Sequence, residues 1–333
     1  MNPMRGTLRG FWITLAIVWV VLILGGSLYA RYLELSATIA APVIAAFLWE
    51  ASFYLVPGFA GVRTAIEQRW RPPVLALGMV ASALAPYCAY TLPTHTFHWV
   101  GLGLLVSLAA AASFCYLCLP KNGYTDSIFL MFMAAVVLCG CFSAIYPSPA
   151  PGVRLDILGQ MMWTRTGVMV MLFFRRAEGI GFGFLPTKAE WNIGVRNYLY
   201  FLPVGLPLAL GIGLLRFRPL PLAWWMTAGA AVGTFLGMLW VVALAEEFFF
   251  RGLMQQWLCQ RLGSRVAGLI LTSVAFGLVH LPFRAFPNWR FALVAAVAGL
   301  FYGRAYSQAG GIRAAMIAHA LVNTTTRVFF PYV

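Results

Sequence analysis

Acidic residues are scarce in this chain: nine Asp and Glu among 333 residues, against 23 Lys and Arg. Charge of either sign is low, 10% of residues where an ordinary soluble domain carries about 25%. Histidine occurs only four times, at 95, 98, 280 and 319. Several catalytic signatures are missing too. There is no His-Glu-x-x-His element, which removes the support for a zincin. There is no pair of Gly-x-Gly-Asp aspartates; Asp126 and Asp156 are the only Asp residues, and both fall in expected loops. No Gly-x-Ser-Gly nucleophile stands in an apolar run.

What is abundant is hydrocarbon, at 62% hydrophobic residues. Apolar runs of about 18 residues or more recur along the chain, which predicts an all-α, polytopic transmembrane bundle. The runs place about 11 spans, near 10–30, 35–59, 73–92, 97–119, 127–146, 158–174, 198–215, 222–250, 266–280, 291–306 and 314–330. The count falls to 10 if the weak run at 158–174, broken by Arg165, is not one. The net charge of +14 does not point to nucleic acid, because the basic residues sit at the ends of apolar runs. They read as topology determinants and contacts to membrane lipids. With the N-terminus in the cytoplasm, roughly fifteen basic residues fall inside and seven outside. That bias suggests a multi-pass protein of a bacterial inner (plasma) membrane. A polar, Gly-rich connector from Arg175 divides the chain into an N-terminal bundle, 1–175, and a C-terminal unit, 176–333. The Cys115/Cys118 and Cys139/Cys141 pairs lie in apolar runs, where Cys acts as a small hydrophobe.

Two adjacent carboxylates, Glu246 and Glu247, close an uncharged apolar run. A charge at membrane depth costs at least ~3 kcal/mol, so these residues ask for a functional reading. Residues four apart share a helical face, so Glu247 can pair with Arg251. Glu246 points about 100° away and lacks a local cation. Two carboxylates in different surroundings can take different roles, one held ionised and one free to move a proton. His280 and His319 lie in or at the ends of apolar helices and need partners. Phe276 shares a face with His280, and Asn323 with His319. The Asn323 amide and an imidazole N–H can both donate to a developing oxyanion. Glu50 and Arg165, the other intramembrane charges, read as a structural pair in the N-terminal bundle. Phe248, Phe249 and Phe250 read as packing residues.

Together, Glu246-Glu247-x-x-x-Arg251, Phe276-x-x-x-His280 and His319-x-x-x-Asn323 resemble the three motifs of the CPBP (Abi) family. That family includes the Ras-converting CAAX endoprotease and bacterial relatives linked to bacteriocin processing or immunity. The resemblance covers about residues 180–330 and leaves 1–175 unassigned. It implies a glutamate-type intramembrane endopeptidase acting on a membrane-anchored or lipidated peptide. By analogy Glu246 is the general base, His280 helps activate water, and His319 and Asn323 form the oxyanion hole. Glu247, Arg251 and Phe276 would support them. No cofactor is required by this scheme. A zinc ion on Glu246, His280 and His319 is the metal-dependent alternative. Two other readings use the same residues: a non-catalytic immunity or partner-binding protein of the family, and a transporter relaying protons through the carboxylates.

Overall fold

A computed structural model of the protein describes residues 7–218 and 223–330. Among these residues the structure is helical, with no strand. The chain forms two compact units, Met1–Arg176 and Ala177–Val333.

The first unit holds α1 (Leu8–Tyr32), α2 (Ala37–Tyr54), α3 (Ala60–Arg69), α4 (Pro72–Thr91), α5 (Trp99–Cys118), α6 (Gly123–Leu138), α7 (Cys141–Ile145) and α8 (Asp156–Arg175). Helix α2 packs on α1 and α4, and α4 on α5. The weak apolar run is a full helix, α8, and most of it is buried. Its Arg165 is the reason it reads weakly, and that charge is neutralised inside the unit. Arg165 Nε donates to Glu50 Oε1 at 2.7 Å, and the guanidinium also donates to Ser82 Oγ and Ser82 O. Both charged side chains are fully enclosed. A buried pair whose remaining donors are also satisfied is tolerable in a low-dielectric interior.

The second unit holds α9 (Lys188–Gly211), α10 (Trp224–Leu262), α11 (Arg265–Leu278), α12 (Trp289–Ala309) and α13 (Ile312–Phe329). Helix α9 packs on α12 and α13, α11 on α12, and α10 on α13. Its core is rich in alanine, with Ala295, Ala298, Ala305, Ala314, Ala315 and Ala318 around Phe276 and Tyr302. Small side chains let helices approach closely where lipid supplies no hydrophobic drive between them.

Among the described residues, seven helices are long and apolar enough to cross a membrane: α1, α2, α4, α5, α8, α9 and α10. The expected count of about 11 is not reached on that criterion. The expected span at 127–146 is broken, because Gly140 adopts φ +66° and splits it into α6 and the five-residue α7. Helices α6 and α11 are apolar but have 16 and 14 residues, short of the ~20 that cross a bilayer. The span expected from 198 starts ten residues earlier, at Lys188. Thr187 and Glu190 form a reciprocal capping box there, satisfying two N-terminal donors of α9.

Candidate active site

Helix α10 places both glutamates. It is not uniform: its bonding widens to i→i+5 over Met238–Ala243 and again over Phe248–Gln255. Between them lies the four-residue α turn Leu244–Glu247. Such widened turns cluster at functional sites because they slip later side chains around the axis.

Glu247 is completely buried and binds on two sides. Arg251 Nη1 donates to Glu247 Oε1 at 3.1 Å, and His319 Nδ1 lies 2.7 Å from the same oxygen. A carboxylate oxygen accepts, so Nδ1 carries the proton. Arg251 is equally buried and donates a further bond to Gly299 O on α12, at 3.2 Å. Its guanidinium lies 4.4 Å from the Phe276 ring centre and 5.4 Å from that of Tyr302. The Tyr302 ring stacks flat on His319, 4.6 Å centre to centre and 11° from parallel. His319 is thus gripped through one nitrogen and one ring face.

The other nitrogen points to Glu246. His319 Nε2 stands 3.8 Å from Glu246 Oε2, beyond hydrogen-bond length. Glu246 is about 30% exposed, and its Oε2 makes no hydrogen bond. With Nδ1 protonated, a neutral His319 turns a lone pair toward a carboxylate oxygen. Two facing acceptors need a proton or a donor such as water between them.

Asn323 lies one turn beyond His319 on α13, with its amide 3.7 Å from Met238 Sδ on α10. His280 lies just past the end of α11. Its Nδ1 donates to Phe276 O at 2.6 Å, which leaves Nε2 as the acceptor. The Phe276 ring stands between the two histidines, 4.8 Å from His280 and 5.8 Å from His319. The structure therefore gathers Glu246, Glu247, Arg251, His319 and Asn323 along the contact of α10 with α13. His280 adjoins them through Phe276 rather than by a direct bond. Among the described residues no three His, Cys, Asp or Glu side chains are grouped as metal ligands, so the alternative zinc set is not assembled here.

The start of α13 is pinned independently. Arg313 pairs with Glu190 at 2.6 Å, and Ile312 N donates to Ile180 O. Gly181, at φ +64°, faces Gly311 so closely that a Cβ would meet its Cα at 2.5 Å. Tyr302, Gly299 and Met238 were not singled out in the sequence. A readable signal existed for two of them, since Gly299-x-x-x-Gly303 with Tyr302 is a small-residue approach motif on an apolar helix.

Residues 228–325 match the family described as type II CAAX prenyl endopeptidase Rce1-like. The matched segment, 98 of the 333 residues, is similar to this family of CAAX proteases. The match spans α10 to α13 and so contains every residue of the candidate site. No curated protein and no solved structure matches the chain. The family suggests a protease, and with the apolar helices it supports an integral membrane protein.

Proposed function

We propose that the C-terminal unit is an intramembrane endopeptidase that hydrolyses a peptide bond in a membrane-anchored, prenylated or otherwise lipidated substrate. The observation that carries this reading is the unbonded Glu246 Oε2 facing Nε2 of a His319 that Glu247 holds from behind. In the proposed reaction a water oxygen attacks the scissile carbonyl carbon while Glu246 takes its proton. The carbonyl oxygen becomes an oxyanion, which Asn323 and protonated His319 stabilise. The tetrahedral carbon then expels the amine, which receives the proton from Glu246. Ionised Glu246 and Glu247 beside Arg251 and a protonated His319 sum to zero charge, the favoured balance in a low dielectric. No covalent intermediate is needed, and no metal. His280, with its free Nε2, orients water or substrate at the edge of the site. The N-terminal unit is an accessory bundle, and the protein resides in a bacterial inner membrane with its N-terminus in the cytoplasm.

The test uses the full-length protein with farnesylated peptides, and a proteomic comparison of cells carrying wild type or Glu246→Gln. Loss of a cleavage product with unchanged expression and melting is the expected result. Cleavage that survives the substitution rejects the proposal. A cellular phenotype that does not depend on Glu246 would favour the non-catalytic family reading instead. Exhaustive chelation is expected to leave turnover unchanged.

A further inference from the structure

Helices α10 and α11 fold back on each other across the Gly263 turn, and two contacts fix their alignment. A Cβ on Gly268 would collide with Cys259, and the Phe276 ring centre lies 4.4 Å from the Arg251 guanidinium carbon. Cys259 to Arg251 and Gly268 to Phe276 are equal steps along two antiparallel helices. Halfway along, one helical turn from either contact, Gln255 stands level with Thr272. Both residues are buried.

Three polar atoms on this seam are left over. Gln255 Nε2 donates to Gly303 O and to Ser307 Oγ, whereas its Oε1 makes no hydrogen bond. Ser273 and Thr324 return their hydroxyls to the carbonyl four residues back, but Thr272 Oγ1 makes no hydrogen bond. Arg251 donates from Nη1 to Glu247 and from Nη2 to Gly299 O, and its buried Nε is unbonded. Of eight such buried atoms among the described residues, five lie on this hairpin, so they are gathered rather than scattered. An acceptor, a donor and a hydroxyl that serves as either are costly to bury without partners. Gln255 and Thr272 are level yet do not bond each other, which is the situation a bridging water resolves. Internal waters typically make about three hydrogen bonds to such groups.

We propose that one internal water molecule is bound between α10 and α11. It accepts from Arg251 Nε, donates to Gln255 Oε1 and makes its third bond with Thr272 Oγ1. The water completes the guanidinium: its three nitrogens then hold Glu247, the α12 backbone and the α10–α11 hairpin. A buried charge is tolerated when its donors are all satisfied. This water is a fixed part of the fold, one turn behind Glu247, and is separate from any water that reacts at Glu246. The proposal does not depend on the protein being a protease.

The experiment pairs a crystal structure of the full-length protein, at a resolution that shows ordered water, with melting of Thr272→Val in detergent. The expected structure has one solvent peak at hydrogen-bond distance, about 2.7–3.2 Å, from all three atoms. Thr272→Val keeps the side-chain shape and removes the hydroxyl. With the water bound, the change takes away one of its partners and should lower the melting temperature by a few degrees. With no water there, the substitution relieves a buried unpartnered hydroxyl and raises it instead. Ser273→Ala, whose hydroxyl bonds its own helix, is the control and should melt close to wild type. A solvent-free seam, a direct Gln255–Thr272 bond, or a Thr272→Val variant that melts at or above wild type overturns the proposal. So does an equal fall in the control.

Discussion

The two adjacent glutamates differ in what surrounds them, and that difference is measurable. Glu247 is enclosed and bonded by Arg251 and His319, whereas Glu246 is partly open. Glu247→Gln leaves Arg251 buried with its charge uncompensated. Breaking a buried pair from one side costs about 3–5 kcal/mol, so this variant should melt well below wild type in detergent. Glu246→Gln removes no hydrogen bond of Oε2 and should melt close to wild type. A melting curve of Glu247→Gln that overlays wild type would show that the pair contributes nothing to the fold. The Glu247–Arg251 pairing was legible from a spacing of four. The His319 contact was not, because it joins residues 72 apart in sequence and depends on how α13 packs against α10. The same holds for the stack of Tyr302 on His319.

At the scale of elements, α12 supplies no acid or base yet sets the geometry of both neighbours. Gly299 lets Arg251 and Ser273 come against its backbone; a Cβ there would stand 3.1 Å from Ser273 Cβ and 3.2 Å from Arg251 Nη2. Gln255 Nε2 likewise donates to Gly303 O, one turn on. Gly299→Leu should therefore displace Arg251 from its bond to the Gly299 carbonyl and loosen Glu247 and His319 together. Overpacking of this kind costs typically about 1–3 kcal/mol. The expected result is a lower melting temperature with the proposed peptide cleavage lost more than stability, while Leu300→Ala, on a partly exposed neighbour, should change little. Equal behaviour of the two variants would count against this role. Helix ends follow local chemistry: Gly263 and Gly310, each just past a helix, both turn in the left-handed region that glycine favours. The start of α9 was equally local, in Thr187 and Glu190, but the polar composition of the connector masked it. The widened turns in α10 leave no comparable trace, since i→i+5 bonding follows from packing rather than from any one residue.

For the whole molecule, orientation turns on a short helix. The basic residues of the second unit are almost evenly divided, with Lys188, Arg196, Arg261, Arg265, Arg304 and Arg313 toward one end and Arg216, Arg218, Arg284, Arg290 and Arg327 toward the other. The inside bias therefore comes from the first unit, and it reaches the second only through the number of crossings before Lys188. Among the described residues of that unit, five helices are long and apolar enough to cross: α1, α2, α4, α5 and α8. Helix α6, at 16 residues and ~24 Å, is shorter than the ~30 Å hydrocarbon core. It is apolar, however, and α7 continues the chain beyond the Gly140 turn by five residues. A strongly charged end is also absent between Leu138 and Tyr146, so nothing there favours a return to the side bearing Lys121. We therefore expect α6 with α7 to count as one crossing, which makes six before Lys188 and sets the Gly263 turn in the cytoplasm. Single-cysteine variants in a cysteine-free background test this on intact cells. An impermeant thiol reagent should label Ala285→Cys and spare Gln260→Cys, both positions being exposed in the fold. The reverse pattern would mean that α6 turns back within the membrane, and the turn between α11 and α12 would then face the cytoplasm.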